Sequence, residues 1–485
     1  MIKNPIRLIP EDKFEMMKNR TFELLEKTGV EAQHSKVLKI VADKGCKVDF
    51  DTGRIRFPRE LVKECLEMIP KSFRFGDRKG RKYELPTAQG DFFTRGGTGA
   101  YYFQQEDGSV RKTVLEDTKT LARLYERIEN IDLLAAPFAH DAPEQCTDVH
   151  LVGTILKNST RHHWIQPYNT GSVKYLNELI LISANGKKEM LKEAAPMSWC
   201  TCAVSPLKYI SMDLEVMMYA AEYGTPQHVC SLSTYGGTSP YALPATAILA
   251  VAEILSCACI TNLIKPGSPI IGAPLNYGLD PRTTNTVNSS VEAIQSGFLS
   301  AHFIKKAFGL STHCLGFTTN SPSLDLQAGV ERGIHAALFP ISDVDIMGSV
   351  SNFNVVRATC PALTVIDNEI AAMAKKMGKP IDFSDEGQAW DLLKNCNPGD
   401  TFLATSHSAK HCRDFFNPNV FTTMDRDQWE ADGSKDIMAR AWEKYHTLMK
   451  DDDGSPTVTP DQMKEIDGIL QHATDNLKTG DHSIQ

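Results

Sequence analysis

From about residue 113 onward, short apolar runs alternate with helical stretches, and this rhythm restricts the fold more than any motif does. "TVLEDTKTLARLYERIENI" opens on a capping pattern, Thr113 followed by Glu116, and carries Leu121, Leu124 and Ile128 at helical spacing. "DLLAAPF" follows at strand length. Further strand-like runs fall at 164–165, 197–202, 227–232, 269–271, 312–316 and 344–347, separated by helical stretches such as 211–223, 291–308 and 325–338. With the run at 132–138 these make seven strands, and the region 92–103 supplies an eighth. Eight strand–helix units over about 250–280 residues favour a closed (β/α)₈ TIM barrel, an α/β fold, over the alternative of an open doubly wound sheet. The expected organisation is a mainly helical N-terminal cap over 1–90, the barrel over 91–385 and a helical C-terminal extension over 386–485. "EDGS" at 106–109 reads as a hairpin turn.

Composition narrows the class. The 485 residues carry a net charge of -8, from 52 basic and 60 acidic side chains, which argues against nucleic-acid binding. The apolar run 242–264 has spanning length, yet it contains Pro244, Glu253 and Asn262 and is rich in Ala, Ser and Cys. A buried helix is expected there, with no membrane partner. No export signal opens the chain, and 12 scattered cysteines read as reduced thiols. The expectation is a cytoplasmic protein, with a homo-oligomer as the default assembly.

Barrel enzymes act at the C-terminal ends of their strands. Those positions hold "TRGGTGAYYF" with Arg95, Gly96, Gly97, Tyr101 and Tyr102, then Phe138 and His140, then Trp164 and Tyr168. "SLSTYGGTSP" adds Tyr235, Gly236 and Gly237. "LGFTTNS" adds Gly316, Phe317 and Asn320, and "GSVSNF" ends on Phe353. Glycines and aromatics dominate, while basic side chains are nearly absent. A phosphate loop needs a following helix and usually a basic residue, which "GGTG" lacks. Aromatic faces suit a permanent cation instead, at about 0.5–2 kcal/mol per good face. For any single ring, packing is the blander account.

No GxSxG, HExxH or CxxC motif is present, and His140 and Asp141 point to opposite sides of an extended strand. His228, Cys230 and Cys314 form a trio that zinc could bind to activate a thiol, although 12 cysteines make a chance match easy. Glu253 is expected to be a satisfied buried carboxylate and Asp325 a helix N-cap; Glu292 and Glu331 have capping or surface pairing as their plain account.

"GGTGAYYF", "CAVSPLKY", "AAEYGTPQHVCSLSTYGGTSPYALPATAILAVAEIL", "KPGSPIIG", "TTNSPSLDLQAGVERG" and the tail "HSAKHCRDFFNPNVF" resemble the trimethylamine methyltransferase family of corrinoid-dependent enzymes. The resemblance runs through nearly the whole chain in order. It implies a TIM barrel, a separate small corrinoid protein as partner, and methyl transfer from an amine to the Co(I) centre of that protein's cobalamin, with no tightly bound cofactor of the chain's own. Trimethylamine enzymes carry pyrrolysine in the segment corresponding to "GFTTNS", where this chain has the ordinary residues Phe317, Thr318 and Thr319. This resembles the branch without pyrrolysine, whose members demethylate glycine betaine, proline betaine, carnitine or γ-butyrobetaine.

A quaternary ammonium already carries positive charge and departs as a neutral tertiary amine, so no general acid, base or nucleophile is required. Catalysis then reduces to placement, with the methyl carbon in line at about 3–3.5 Å from its attacker. Tyr101, Tyr102, Phe138, Trp164, Tyr168, Tyr235, Phe317 and Phe353 are the expected cation box; His140, Arg95 and Asn320 are candidates for orienting the substrate's tail. Gly96, Gly97, Gly236, Gly237 and Gly316 are expected to keep the rim low for an approaching corrin. A zinc-dependent methylcorrinoid:thiol methyltransferase built on His228, Cys230 and Cys314 is the alternative, and a non-catalytic quaternary-amine binder a second.

Overall fold

The computed structural model describes residues 8–477. Eight parallel strands close into a barrel in chain order: β1 Phe93–Gly96, β2 Leu133–Leu134, β3 His162–Ile165, β4 Met197–Ala203, β5 Gln227–Ser231, β6 Ile270–Pro274, β7 Ser311–Leu315 and β8 Ile346–Val350. The chief helices between them are α1 Leu115–Glu126, α2 Thr147–Asn158, α3 Val173–Ser183, α4 Ser211–Tyr223, α5 Leu243–Ile264, α6 Val291–Phe308 and α7 Leu326–Ser342, with α8 Pro361–Gly378 after β8. The fold is the expected TIM barrel. Strand β1 lies inside the stretch expected to supply the eighth strand, whose far end instead forms a hairpin, Tyr102–Gln104 against Val110–Lys112, around "EDGS".

Local chemistry sets the helix ends. Ser290 and Asp325 accept from Ala293 N and Ala328 N and so cap α6 and α7. Helices α4 and α6 stop at Gly224 and Gly309, both left-handed, where a side chain would be strained. At α1 the expectation shifts. The side chain of Asp117 accepts from Val114 N at 2.9 Å, while Thr113 donates outward to the Ala100 carbonyl, so the helix begins beyond Thr113.

The long apolar helix α5 is buried almost along its length. One side packs on the barrel and the other receives Phe14, Met17 and Phe22 of the helix Glu11–Lys27, so apolar residues are needed all round. Its Glu253 is satisfied as expected, accepting from Ser231 Oγ at 2.6 Å, Ser205 Oγ at 2.9 Å and Leu207 N at 2.9 Å. Residues 8–90 contain three helices and also strands: Val30–Ala32, Lys47–Asp49 and Arg54–Arg56 form a sheet with Lys208–Tyr209. A second hairpin, Phe73–Gly76 with Lys82–Leu85, plugs the N-terminal end of the barrel: Phe75, Tyr83 and Leu85 pack with Leu133, Ile271 and Ile346. Near the C-terminus, Ile437–Met449 packs on α8 and Pro460–Asn476 on α2 and α3.

Candidate active site at the barrel mouth

Alternate residues of a strand face the barrel interior. On β1 this turns Arg95 inward, and its guanidinium lies 4.4 Å over the Trp164 ring of β3. Arg95 Nε donates to His313 Nε2 at 3.1 Å, and Nη1 donates to the Gly96 carbonyl. Gly348 on β8 leaves the space for this group, since a Cβ there would sit 2.8 Å from Arg95 Nη2. Because His313 Nε2 accepts, its proton is on Nδ1, which donates to His228 Nδ1 at 3.2 Å. Burial, together with the neighbouring guanidinium, pushes both imidazoles well below the ordinary histidine range, so both are neutral. Among the described residues no carboxylate lies within ion-pair distance of Arg95, although its side chain is only 1% exposed.

Three thiols lie beside this floor. Cys200 Sγ is 3.4 Å from Cys202 Sγ and 3.6 Å from Cys230 Sγ, against a wall of Trp164, Ala135, Ala273 and Leu275. Thiol hydrogen bonds from Cys200 and Cys202, with the Arg95 guanidinium beyond, hold Cys230 below the usual thiol range; burial pushes Cys200 above it. Burial also raises the Tyr277 hydroxyl to about 12, with Cys202, Cys230 and Arg95 facing it.

The rim holds an arc of rings. Phe138 lies 5.4 Å from Tyr101, 5.0 Å from His140 and 5.8 Å from Tyr168, and Tyr101 and His140 are 6.2 Å apart. His140 Nδ1 lies 3.2 Å from the Thr113 carbonyl. Asp148 anchors the far end by accepting from Tyr168 N at 2.7 Å.

Other expected site residues sit elsewhere. Phe317 and Phe353 are almost without accessible surface, packed in the layer between barrel and helices, which leaves no face for an onium. Trp164 is likewise enclosed and carries Arg95 on its ring. Tyr102 alternates outward on the hairpin, while Phe103 turns in. Tyr235 packs edge-on against Tyr241 at 5.1 Å in a separate cleft of about 510 Å³ shared with Asp280 and Asn320. Asn320 Oδ1 accepts from Asn288 N and Ser289 N and so braces that loop.

The glycines serve close packing more than an open rim. A Cβ on Gly96 would meet the Tyr125 ring, on Gly97 the Asn352 side chain, and on Gly316 Met347. Gly236 is left-handed with Tyr241 in its Cβ space; Gly237 is the exposed one. The trio His228, Cys230 and Cys314 does not converge. His313 faces inward on β7, so Cys314 faces outward and points its Sγ at the Gly297 carbonyl of α6.

Comparison with known proteins decides the family. The sequence model described as Trimethylamine methyltransferase (MTTB) matches residues 2–477. The chain belongs to the trimethylamine methyltransferase family. Trimethylamine methyltransferase MttB of Methanosarcina barkeri (strain Fusaro / DSM 804) is 27% identical over 96% of this chain and 95% of its own. Glycine betaine methyltransferase of Desulfitobacterium hafniense (strain Y51) is 26% identical over 96% of this chain and 95% of its own. The solved monomethylamine methyltransferase MtmB of Methanosarcina barkeri shares the barrel, with a TM-score of 0.54 and 11% identity over 99% of this chain and 90% of that one.

In this methyltransferase the sequence reading passed over Cys200, Cys202 and His313. The available signal was "CTC" on a strand: two cysteines at period two share one face. A search confined to CxxC spacing, which suits loops, does not register it.

Proposed function

We propose that this methyltransferase moves a methyl group from a quaternary amine of the betaine type to the Co(I) centre of a corrinoid carried by a separate protein. The observation that carries the reading is the arc of Tyr101, Phe138, His140 and Tyr168 at the C-terminal end of the barrel. Such rings hold an onium head by cation–π attraction, about 0.5–2 kcal/mol per face. The glycine betaine methyltransferase among its relatives supports the substrate class. So does the floor, where His228 and His313 are neutral and engaged with one another and with Arg95. An onium that leaves as a neutral amine needs no proton from them.

The chain's part is then to bind and aim. The arc grips the cation, and the reacting methyl points out of the mouth toward the incoming cobalt. Of the three residues considered for the substrate's tail, Arg95 is enclosed and Asn320 is engaged with backbone. His140 stands at the rim, with Nδ1 3.2 Å from the Thr113 carbonyl, and is the one of the three left to face the substrate's tail.

The test offers glycine betaine, proline betaine, carnitine, γ-butyrobetaine and trimethylamine to the enzyme with chemically reduced free cobalamin, followed by absorbance. One or more quaternary amines should convert Co(I) to methylcobalamin while trimethylamine does not. Preference for trimethylamine would overturn the reading, as would binding of a betaine with no methyl transfer.

A further inference from the structure

The cluster of Cys200, Cys202 and Cys230 plays no part in the proposed methyl transfer. Cys200 and Cys202 are alternate residues of β4, and Cys202 stands opposite Cys230 in the parallel pairing with β5. The three Sγ atoms all lie within 4.8 Å of one another, two of the separations being 3.4 and 3.6 Å. Tetrahedral zinc, with Zn–S bonds of about 2.3 Å, sets its sulfurs about 3.8 Å apart. Two of the three separations lie within a few tenths of an ångström of that spacing, and the third exceeds it by no more than about 1 Å.

We propose that Cys200, Cys202 and Cys230 form a zinc site in the barrel mouth, with its fourth position open toward the mouth. Three independent features point to it. An all-sulfur donor set selects a thiophilic ion over magnesium, calcium or manganese. Trp164, Ala135, Ala273 and Leu275 pack around the thiols and exclude water, and Cys202 is half-buried where Cys200 and Cys230 are buried. The third feature is charge. Arg95 is a buried cation without a carboxylate among the described residues, an arrangement that is costly unless an anion lies close by. Zinc with three thiolates carries a net charge of minus one, and Arg95 faces these sulfurs. Binding releases a proton from each sulfur still present as a thiol, so the zinc-bound cluster and Arg95 together are neutral. Three thiolates without a metal could not share this space.

The site differs from the trio read from sequence, which required Cys314, and it stands or falls separately from the methyl-transfer reading. A competing cluster, Glu386, His407 and His411, lies on the surface near Cys412 and must be removed in parallel. The chain is purified anaerobically under reduction, exposed to zinc sulfate, desalted and assayed for metal. A surface variant combining His407→Ala, His411→Ala, Cys396→Ser and Cys412→Ser should keep one zinc per chain, and the wild type at least one. Cys202→Ser and Cys230→Ser should weaken zinc binding by about tenfold or more. Reconstituting the surface variant with Co²⁺ should give intense near-ultraviolet thiolate-to-cobalt absorption, a readout that does not depend on the folding of the barrel cysteine variants. Zinc lost from the surface variant but kept by the barrel cysteine variants would overturn the proposal. So would a surface variant whose cobalt spectrum lacks the thiolate band.

Discussion

The two ends of the barrel differ in whether every buried charge finds an opposite one. At the N-terminal end the half-buried Glu126 and the buried Asp345 are both met. Glu126 accepts from Lys79 Nζ at 2.8 Å, Ser159 Oγ at 2.7 Å and Thr160 N at 2.7 Å. Asp345 accepts from Lys305 Nζ at 2.8 Å, Thr312 N at 2.7 Å and Thr87 N at 2.9 Å. The hairpin plug adds an apolar seal. At the C-terminal end Arg95 is buried without a carboxylate, three thiols crowd together and aromatic rings stand partly bare. An end that only holds the fold together pairs its carboxylates; an end that meets ligands keeps a buried cation unpaired.

The sharpest way to break this contrast is in the seal. Ile346→Ala should lower stability by about 2–5 kcal/mol in denaturant unfolding, with methyl transfer per folded chain retained. A variant as stable as the wild type but inactive would place chemistry at the wrong end.

Acid titration comes next. Burial pulls the Glu126 carboxyl upward, but the Lys79 ammonium and the Ser159 and Thr160 donors outweigh it and hold it at about 2. A carboxylate depressed in the folded state stabilises fully above its unfolded value, near 4.5, and that stability is lost as pH falls toward 2. The loss should be about 2–3 kcal/mol after solvent screening, and Glu126→Gln should flatten that part of the stability curve. An unchanged slope in the variant would remove Glu126 from the anchoring end.

At the mouth the effects are smaller and kinetic. Tyr101→Ala should reduce kcat/KM for the quaternary amine by about 2- to 30-fold, with an unchanged melting temperature because the side chain is 48% exposed. Tyr102→Ala, one residue on but turned outward, should change kcat/KM by less than about twofold. Equal effects of the two would dissolve the proposed arc.

Periodicity made much of the barrel legible in advance. Alternation of strand and helix announced eight units, and the helical stretches expected at 211–223 and 291–308 are α4 and α6. Asp325 as a cap and Glu253 as a satisfied carboxylate were equally readable, because both depend on near neighbours in the chain or on the high cost of burying a lone charge.

What the chain determined by itself is which residues share a face of each strand or helix, since that follows from periods of two and 3.6. Only the closed barrel decided which face turns inward and which strands lie side by side. A shift of one residue in a strand's phase exchanges its faces. That phase sends His313 in and Cys314 out on β7, breaks the trio expected from sequence, and sets Cys230 against Cys200 and Cys202. It also buries Phe317 and Phe353 while leaving Tyr101, Phe138 and Tyr168 at the rim. Phase and register are settled by packing among residues distant in the chain, so no local pattern could have announced them.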